Sequence, residues 1–297
     1  MLRVILLTFF LAAFLLLPAH AVEMNDNSGN LNGVFNTTAP TSTDIANWNT
    51  GWGSPGITGW NYVGQMTVGG ASGVYLGNGW VLTAAHVGAS NFTLNGTTYT
   101  AISGSAQNIG TADLTLFQIS TLPSLPSLTL SLAPPVPFSQ FQPGSSVAML
   151  GFGGGHGETW GLDTVTQINQ TVDLHPSFPY ISNDFLTING TYHDGSATNI
   201  NSYQLVGGDS GGGDFIFNVG TQTWELAGIN EITGTGTFNG QDVGLSGMVQ
   251  LNTYAAQIQS VVATPEPETW ALLGLGFFCL WGWSRRRDFF SCHPERR

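Results

Sequence analysis

Between Arg3 and Arg285 the chain contains neither lysine nor arginine. That absence narrows the choice of fold more than any single motif. Water-exposed helices commonly carry Glu–Lys or Asp–Arg pairs one turn apart, and here such pairs cannot form. Charged residues make up only 8% of the sequence, whereas glycine alone supplies 40 of the 297 residues. Gly, Asn, Ser and Thr interrupt the chain at short intervals, which suits short strands joined by many turns. A phosphate-binding surface needs Lys or Arg, so nucleic acid is not an expected partner.

The pattern of apolar runs agrees. From about Tyr62, Val74–Leu76, Trp80–Leu82, Phe92–Leu94, Leu114–Ile119, Val147–Leu150, Phe185–Ile188 and Phe215–Phe217 read as strands. Asn78-Gly79, Asn95-Gly96 and Asn189-Gly190 read as hairpin tips between them. Pro123, Pro126, Pro134, Pro135 and Pro137 crowd one stretch, and proline cannot donate to a β-ladder. That stretch is the expected connection between two β-rich halves. Tyr254, Ile258 and Val261 recur at helical spacing after Asn252, predicting a short closing helix. Residues 22–61 are polar and show no sustained period, so they read as a linker or pro-segment.

Both ends read as addresses. Arg3, the apolar Val4–Leu17 and Ala19-His20-Ala21 form the pattern of a secretory signal peptide, residues 1–21, cut by signal peptidase after Ala21. At the other end, Thr264-Pro265-Glu266-Pro267-Glu268-Thr269 precedes the apolar Trp270–Trp283 and then Arg285-Arg286-Arg287. The apolar run is short for a membrane span, and the arginines would stay on the cytoplasmic side. This tripartite end, residues 264–287, resembles the PEP-CTERM sorting signal of Gram-negative bacteria. The resemblance implies recognition by an exosortase-type enzyme and transient anchoring through the membrane segment 270–283. It also implies delivery to the periplasm, outer surface or extracellular matrix. The tail of residues 288–297 departs from that pattern. Cys279 and Cys292 both lie in this end, so the expected globular region has no cysteine for a disulfide or a metal site.

The stretch with chemical promise is Gly207-Gly208-Asp209-Ser210-Gly211-Gly212-Gly213. Glycine permits positive φ and close approach, so such a loop can present Ser210 above converging N–H groups. Upstream, Gly79-Trp80-Val81-Leu82-Thr83-Ala84-Ala85-His86 runs a strand into a histidine. Thr111-Ala112-Asp113-Leu114-Thr115-Leu116 places an acid at the head of an apolar strand. Asp113 is the only acid between Asp44 and Glu158.

Ala-Ala-His, Asp-Leu-x-Leu and Gly-Asp-Ser-Gly-Gly, in that order, resemble the trypsin/chymotrypsin-like serine peptidases, with Gly151-Phe152-Gly153 in support. The order His, Asp, Ser separates that family from other serine hydrolases. The resemblance implies an all-β fold of two antiparallel six-stranded Greek-key β-barrels over residues 62–262. Barrel 1 would span about 62–121 and barrel 2 about 145–250. It further implies a triad of His86, Asp113 and Ser210, an oxyanion hole from Gly208 and Ser210, and a specificity pocket shaped by Gln204. Peptide or protein substrates would be cut through an acyl-enzyme, without metal or cofactor. Gln204 stands where an acid would select Arg or Lys, so that preference is not expected.

Two departures stand out. Many members of the family pair the acid before the serine with a new N-terminus freed after a basic residue. Here that acid is Asp209, and only Arg3 precedes Tyr62. Glu231 falls where Ser-Trp-Gly is common in the family. His156, His175 and His193 match no motif and read as solvated loop residues. A catalytically idle relative acting as a surface binding or matrix protein is the alternative expectation.

Overall fold

The computed structural model describes residues 22–25, 31–139, 145–188, 203–238 and 241–263. Two short strands come first, β1 (Glu23–Asn25) and β2 (Leu31–Phe35). The first half then supplies β3 (Val63–Met66), β4 (Ser72–Gly77), β5 (Trp80–Thr83), β6 (Phe92–Leu94), β7 (Thr97–Tyr99), β8 (Gln107–Asn108) and β9 (Thr115–Gln118). Asn78 and Gly79 take φ of 51° and 81°, and Asn95 and Gly96 take 49° and 77°. Those left-handed pairs are what tight two-residue hairpins require, and they turn β4 into β5 and β6 into β7.

These seven strands form one antiparallel sheet in the order β7-β6-β3-β4-β5-β9-β8. The expected six-stranded barrel is therefore incomplete as a regular ladder. Its ends nevertheless meet: Ala101 bridges Ile119, and Ile102 N–H donates to Gln118 O while Ser120 N–H donates to Thr100 O. Val74, Leu82, Phe92, Leu114, Leu116 and Phe117 are fully buried within this half.

The second half supplies β10 (Ser146–Gly151), β11 (Thr159–Asp173), β12 (Ile181–Ile188), β13 (Tyr203–Gln204), β14 (Gly213–Asn218), β15 (Thr223–Phe238) and β16 (Gln241–Gln250). Six of them close into a barrel in the order β10-β11-β12-β16-β15-β14. Leaving aside the short β8 and β13, both halves repeat the same winding order. Helix α1 (Leu251–Val262) buries Leu251, Ala255 and Ile258. The Asn189-Gly190 tip, His193, the signal-peptide stretch and everything after Ala263, including both cysteines and the membrane segment, lie outside the described residues. Among the described residues no helix is long and apolar enough to cross a membrane.

The segment whose composition reads as a linker is packed. β1 pairs with both β2 and β13. Val22 is fully buried with Val147, Val165, Phe185 and Met248 in the barrel core. Further along, Trp48 and Trp52 are buried and meet edge to face with ring centroids 4.9 Å apart. Trp52 stacks on Trp224 of β15 at 5.5 Å. Aromatic pairs of this kind add about 0.5–1.5 kcal/mol each beyond the area they bury. Scattered tryptophans in a polar stretch have no period to announce their packing.

With no fixed cation in the folded region, buried acids have little to pair with. Burial pushes Asp163 up to about 8 and raises Glu158, Asp184 and Asp214 well above the usual carboxylate range. A carboxyl raised in the folded state stabilises fully below its unfolded pKa and loses that contribution as pH climbs through its folded pKa. The melting temperature should therefore fall as pH rises from about 4 to about 8, and Asp163→Asn should flatten the decline. Thermal melts that climb over this interval would contradict the assignment of protonated buried acids.

Candidate active site

His86 follows the end of β5 on a tight turn in which Val87 N–H donates to Ala84 O at 3.1 Å and Gly88 N–H to the same oxygen at 3.2 Å. Ala84 and Ala85 are small enough to be buried beneath it. Asp113 precedes β9 and is fully buried. Its carboxylate holds the histidine at two points: Oδ1 accepts the His86 backbone N–H at 2.7 Å, and Oδ2 meets Nδ1 at 2.5 Å. A carboxylate is acceptor-only, so Nδ1 must carry the hydrogen and Nε2 is left as the acceptor. On its other side the ring meets Phe178, with centroids 5.0 Å apart.

Ser210 sits on the glycine loop between β13 and β14. That loop is laid directly on the first sheet. Ser72 N–H of β4 donates to Ser210 O at 2.9 Å. A Cβ on Gly211, where φ is +84°, would lie 2.2 Å from Ser72 O and from Thr83 Oγ1. Thr83 is three residues before His86, so this close approach is what brings the serine loop to the histidine's strand. Gly208 has φ of +99° and packs on Gly153. Among the described residues the N–H groups of Gly208 and Ser210 have no acceptor, and Ser210 Oγ has no hydrogen-bond partner. The His86–Ser210 bond is thus open in this state.

Asp209 is buried and has the partners that the sequence did not reveal. Oδ2 accepts Val206 N–H and Oδ1 accepts Gly153 N–H, both at 3.0 Å. The backbone N–H of Val22 is a third donor to the same carboxylate. Burial pushes Asp209 up to about 7 while these N–H bonds oppose the rise. Gly151 makes room, since a Cβ there would lie 2.3 Å from Asp209 Oδ1. Gln204 is buried on β13 and donates its amide to Thr233 Oγ1 at 3.1 Å and Gly234 O at 2.9 Å.

Glu231, to which the sequence attached no role, lies buried behind Asp113. Ser182 of β12 accepts Asp113 N–H at 2.9 Å and donates to Glu231 Oε1 at 2.6 Å. No sequence motif marks Ser182 or Asp184, because strand pairing brings them to the site. Of the other histidines, His156 stacks on Phe35 at 4.3 Å, and His175 pairs with exposed Asp173 at 2.6 Å.

Residues 263–287 match the PEP-CTERM protein-sorting motif. No curated protein sequence matches the chain. Among solved structures, Rv3671c from M. tuberculosis H37Rv, an inactive mutant form, is 16% identical. It covers 79% of this chain and 99% of its own, with a TM-score of 0.47. The MamO protease domain from Magnetospirillum magneticum is 18% identical, covering 66% and 95%, with a TM-score of 0.43. A mutant of human heparin binding protein (CAP37) is 16% identical, covering 70% and 93%, with a TM-score of 0.46.

Proposed function

We propose that the chain is an exported serine endopeptidase in which Ser210 attacks the peptide carbonyl and His86 relays the proton. Asp113 fixes the imidazole and offsets its charge. The observation that carries this reading is the two-point hold of Asp113 on His86, with the glycine-cradled serine loop seated against β4 and the end of β5. A serine hydroxyl is a weak nucleophile until a base removes its proton. With Nδ1–H committed to Asp113, His86 Nε2 takes the proton from Ser210 Oγ as the Oγ–C bond forms. The imidazolium then gives that proton to the departing amine as the C–N bond breaks, leaving an acyl-enzyme that water hydrolyses by the same relay. Nucleophile–base bonds that are open without substrate commonly tighten when it binds. The unpartnered N–H groups of Gly208 and Ser210 are the oxyanion donors, each worth about 3–4 kcal/mol to the transition state. No metal or cofactor enters any of these steps.

The pocket residue Gln204 is neutral and its amide is already bonded to Thr233 and Gly234. Nothing at that position attracts a basic side chain, so cleavage after Arg or Lys is not the preference we assign. The second reading, a binding relative without activity, draws on the open His86–Ser210 bond. Labelling by a fluorophosphonate separates the two. Mature protein should react at Ser210, Ser210→Ala and His86→Ala should not, and Asp113→Asn should slow labelling by about 10⁴-fold. Unlabelled wild-type protein leaves the binding reading.

Maturation follows from Val22. Signal peptidase cutting after Ala21 would make Val22 the N-terminus and turn its amide into an ammonium at the Asp209 carboxylate. The folded region would then hold one buried ion pair where it had only N–H bonds. Because Val22 is fully buried, the cut must precede closure of the site. N-terminal sequencing of secreted protein should begin at Val22. A variant retaining Ala21 should lose roughly ten-fold or more in labelling rate, since the Asp209 charge loses its partner. Equal rates with and without Ala21 would remove the ammonium from the account.

Sorting rests on the motif at residues 263–287. We assign its apolar segment as a transient anchor recognised by an exosortase-type enzyme. Deleting residues 264–287 should shift the protein from the cell envelope to the medium, and unchanged retention on fractionation would end this assignment.

A further inference from the structure

We propose that Glu231 is a positioning residue for the triad, acting through Ser182 on Asp113 and backed by Asp184. This rests on the peptidase reading above. The geometry is directional. Ser182 has one hydroxyl hydrogen, and it is committed to Glu231 Oε1 at 2.6 Å. Its oxygen is therefore turned to accept the Asp113 backbone N–H at 2.9 Å. Glu231 thereby holds the backbone of the residue whose carboxylate holds His86 at both the ring and the main chain.

Glu231 in turn lies near Asp184, close enough for each carboxyl to act on the other's charge, while both Asp184 oxygens and Glu231 Oε2 are buried without a hydrogen-bond partner among the described residues. Two buried carboxyls so placed disfavour each other's ionisation, so one of them keeps a proton. Asp184 is fully buried and Glu231 nearly so. Burial raises Asp184 well above the usual range, with Glu231 adding to the rise. Burial also brings Glu231 up to about 7, opposed by its bond from Ser182. Asp184 is thus the proton holder and Glu231 the charge. The groups facing the pair are His86 and Asp113 from the first half, Asp214 on β14 and Tyr254 on α1. Of these only His86 can become positive. When His86 takes the serine proton, Glu231 is a second anion favouring the imidazolium. Below about pH 7 Glu231 binds a proton, that support is lost, and the Ser182 bond is no longer charge-assisted.

The test uses mature protein and two readouts, the fluorophosphonate labelling rate from about pH 5 to about pH 9 and the His86 imidazole titration by NMR. Wild-type labelling should fall on the acid side more steeply than one ionisation allows, because His86 and Glu231 both lose competence there. Glu231→Gln should reduce the fall to a single ionisation, slow the maximal rate about ten-fold and move the His86 midpoint down by about half a pH unit. Asp184→Asn removes the neighbouring carboxyl that disfavours charge on Glu231, so the steep region should move to lower pH. That direction is opposite to general damage, so Asp184→Asn decides the matter should Glu231→Gln fail to fold. Wild-type slope and His86 midpoint in whichever of the two variants folds would overturn the proposal. If wild-type protein does not label but the His86 midpoint still moves in Glu231→Gln, the peptidase reading fails while the coupling of Glu231 to His86 stands.

Discussion

The contact on which the site depends is the approach of Gly211 to the first sheet. A side chain at that position would run into Ser72 O and Thr83 Oγ1 at 2.2 Å, and the backbone already stands at a φ that L-residues disfavour. Either obstacle alone would push the serine loop away from β4 and β5. Because Gly211 clears both, Ser210 O can accept Ser72 N–H and the loop is seated against the strand that ends in His86. Gly212 repeats the logic on the opposite side, where a Cβ would lie 2.1 Å from Leu150 O. The glycine run is therefore a device for close approach between two halves rather than for mobility.

The second constraint is the missing positive charge. A buried carboxylate ordinarily pairs with Arg or Lys, and breaking such a pair costs about 3–5 kcal/mol. This chain has none to offer across its folded region, so each buried acid needs another solution. Asp113 takes an imidazole and a backbone N–H. Asp209 takes three backbone N–H groups, one of them from Val22. Asp184, raised by burial and by Glu231 beside it, keeps its proton. Burial raises Asp163, Asp184, Asp209 and Glu231, which makes the charge balance around the site responsive to pH.

Much of this was legible in the sequence and some was not, for physical reasons. The Asn78-Gly79 and Asn95-Gly96 tips, the short apolar runs and the closing helix are local signals, and they appear where the sequence places them. His86 and Asp113 were legible as motifs, and the structure joins them directly. Val22 and Glu231 were visible but mute. Val22 is one apolar residue in a polar stretch, and its burial depends on a barrel built from residues more than a hundred positions away. Glu231 acquires meaning only when β12 and β15, neither adjacent in the chain nor paired with each other, both flank β16 and bring Ser182 and Asp184 to its side. The closure of the first sheet likewise rests on isolated bonds near Ala101 and Ile119 that no hydrophobic period encodes.

The alignment of the halves is made by neutral bonds. Ser72 N–H meets Ser210 O at 2.9 Å, Phe152 N–H meets Ser72 Oγ at 2.8 Å, and Ile181 N–H meets Thr111 O at 2.9 Å. Asp113 N–H meets Ser182 Oγ at 2.9 Å. Ion pairs across an interface weaken within a Debye length of about 8–10 Å as salt rises, whereas backbone bonds of this kind are hardly screened. A protein addressed to the outside of a cell meets ionic strengths that the cell does not control. Registering the two halves through uncharged donors and acceptors makes their alignment insensitive to salt.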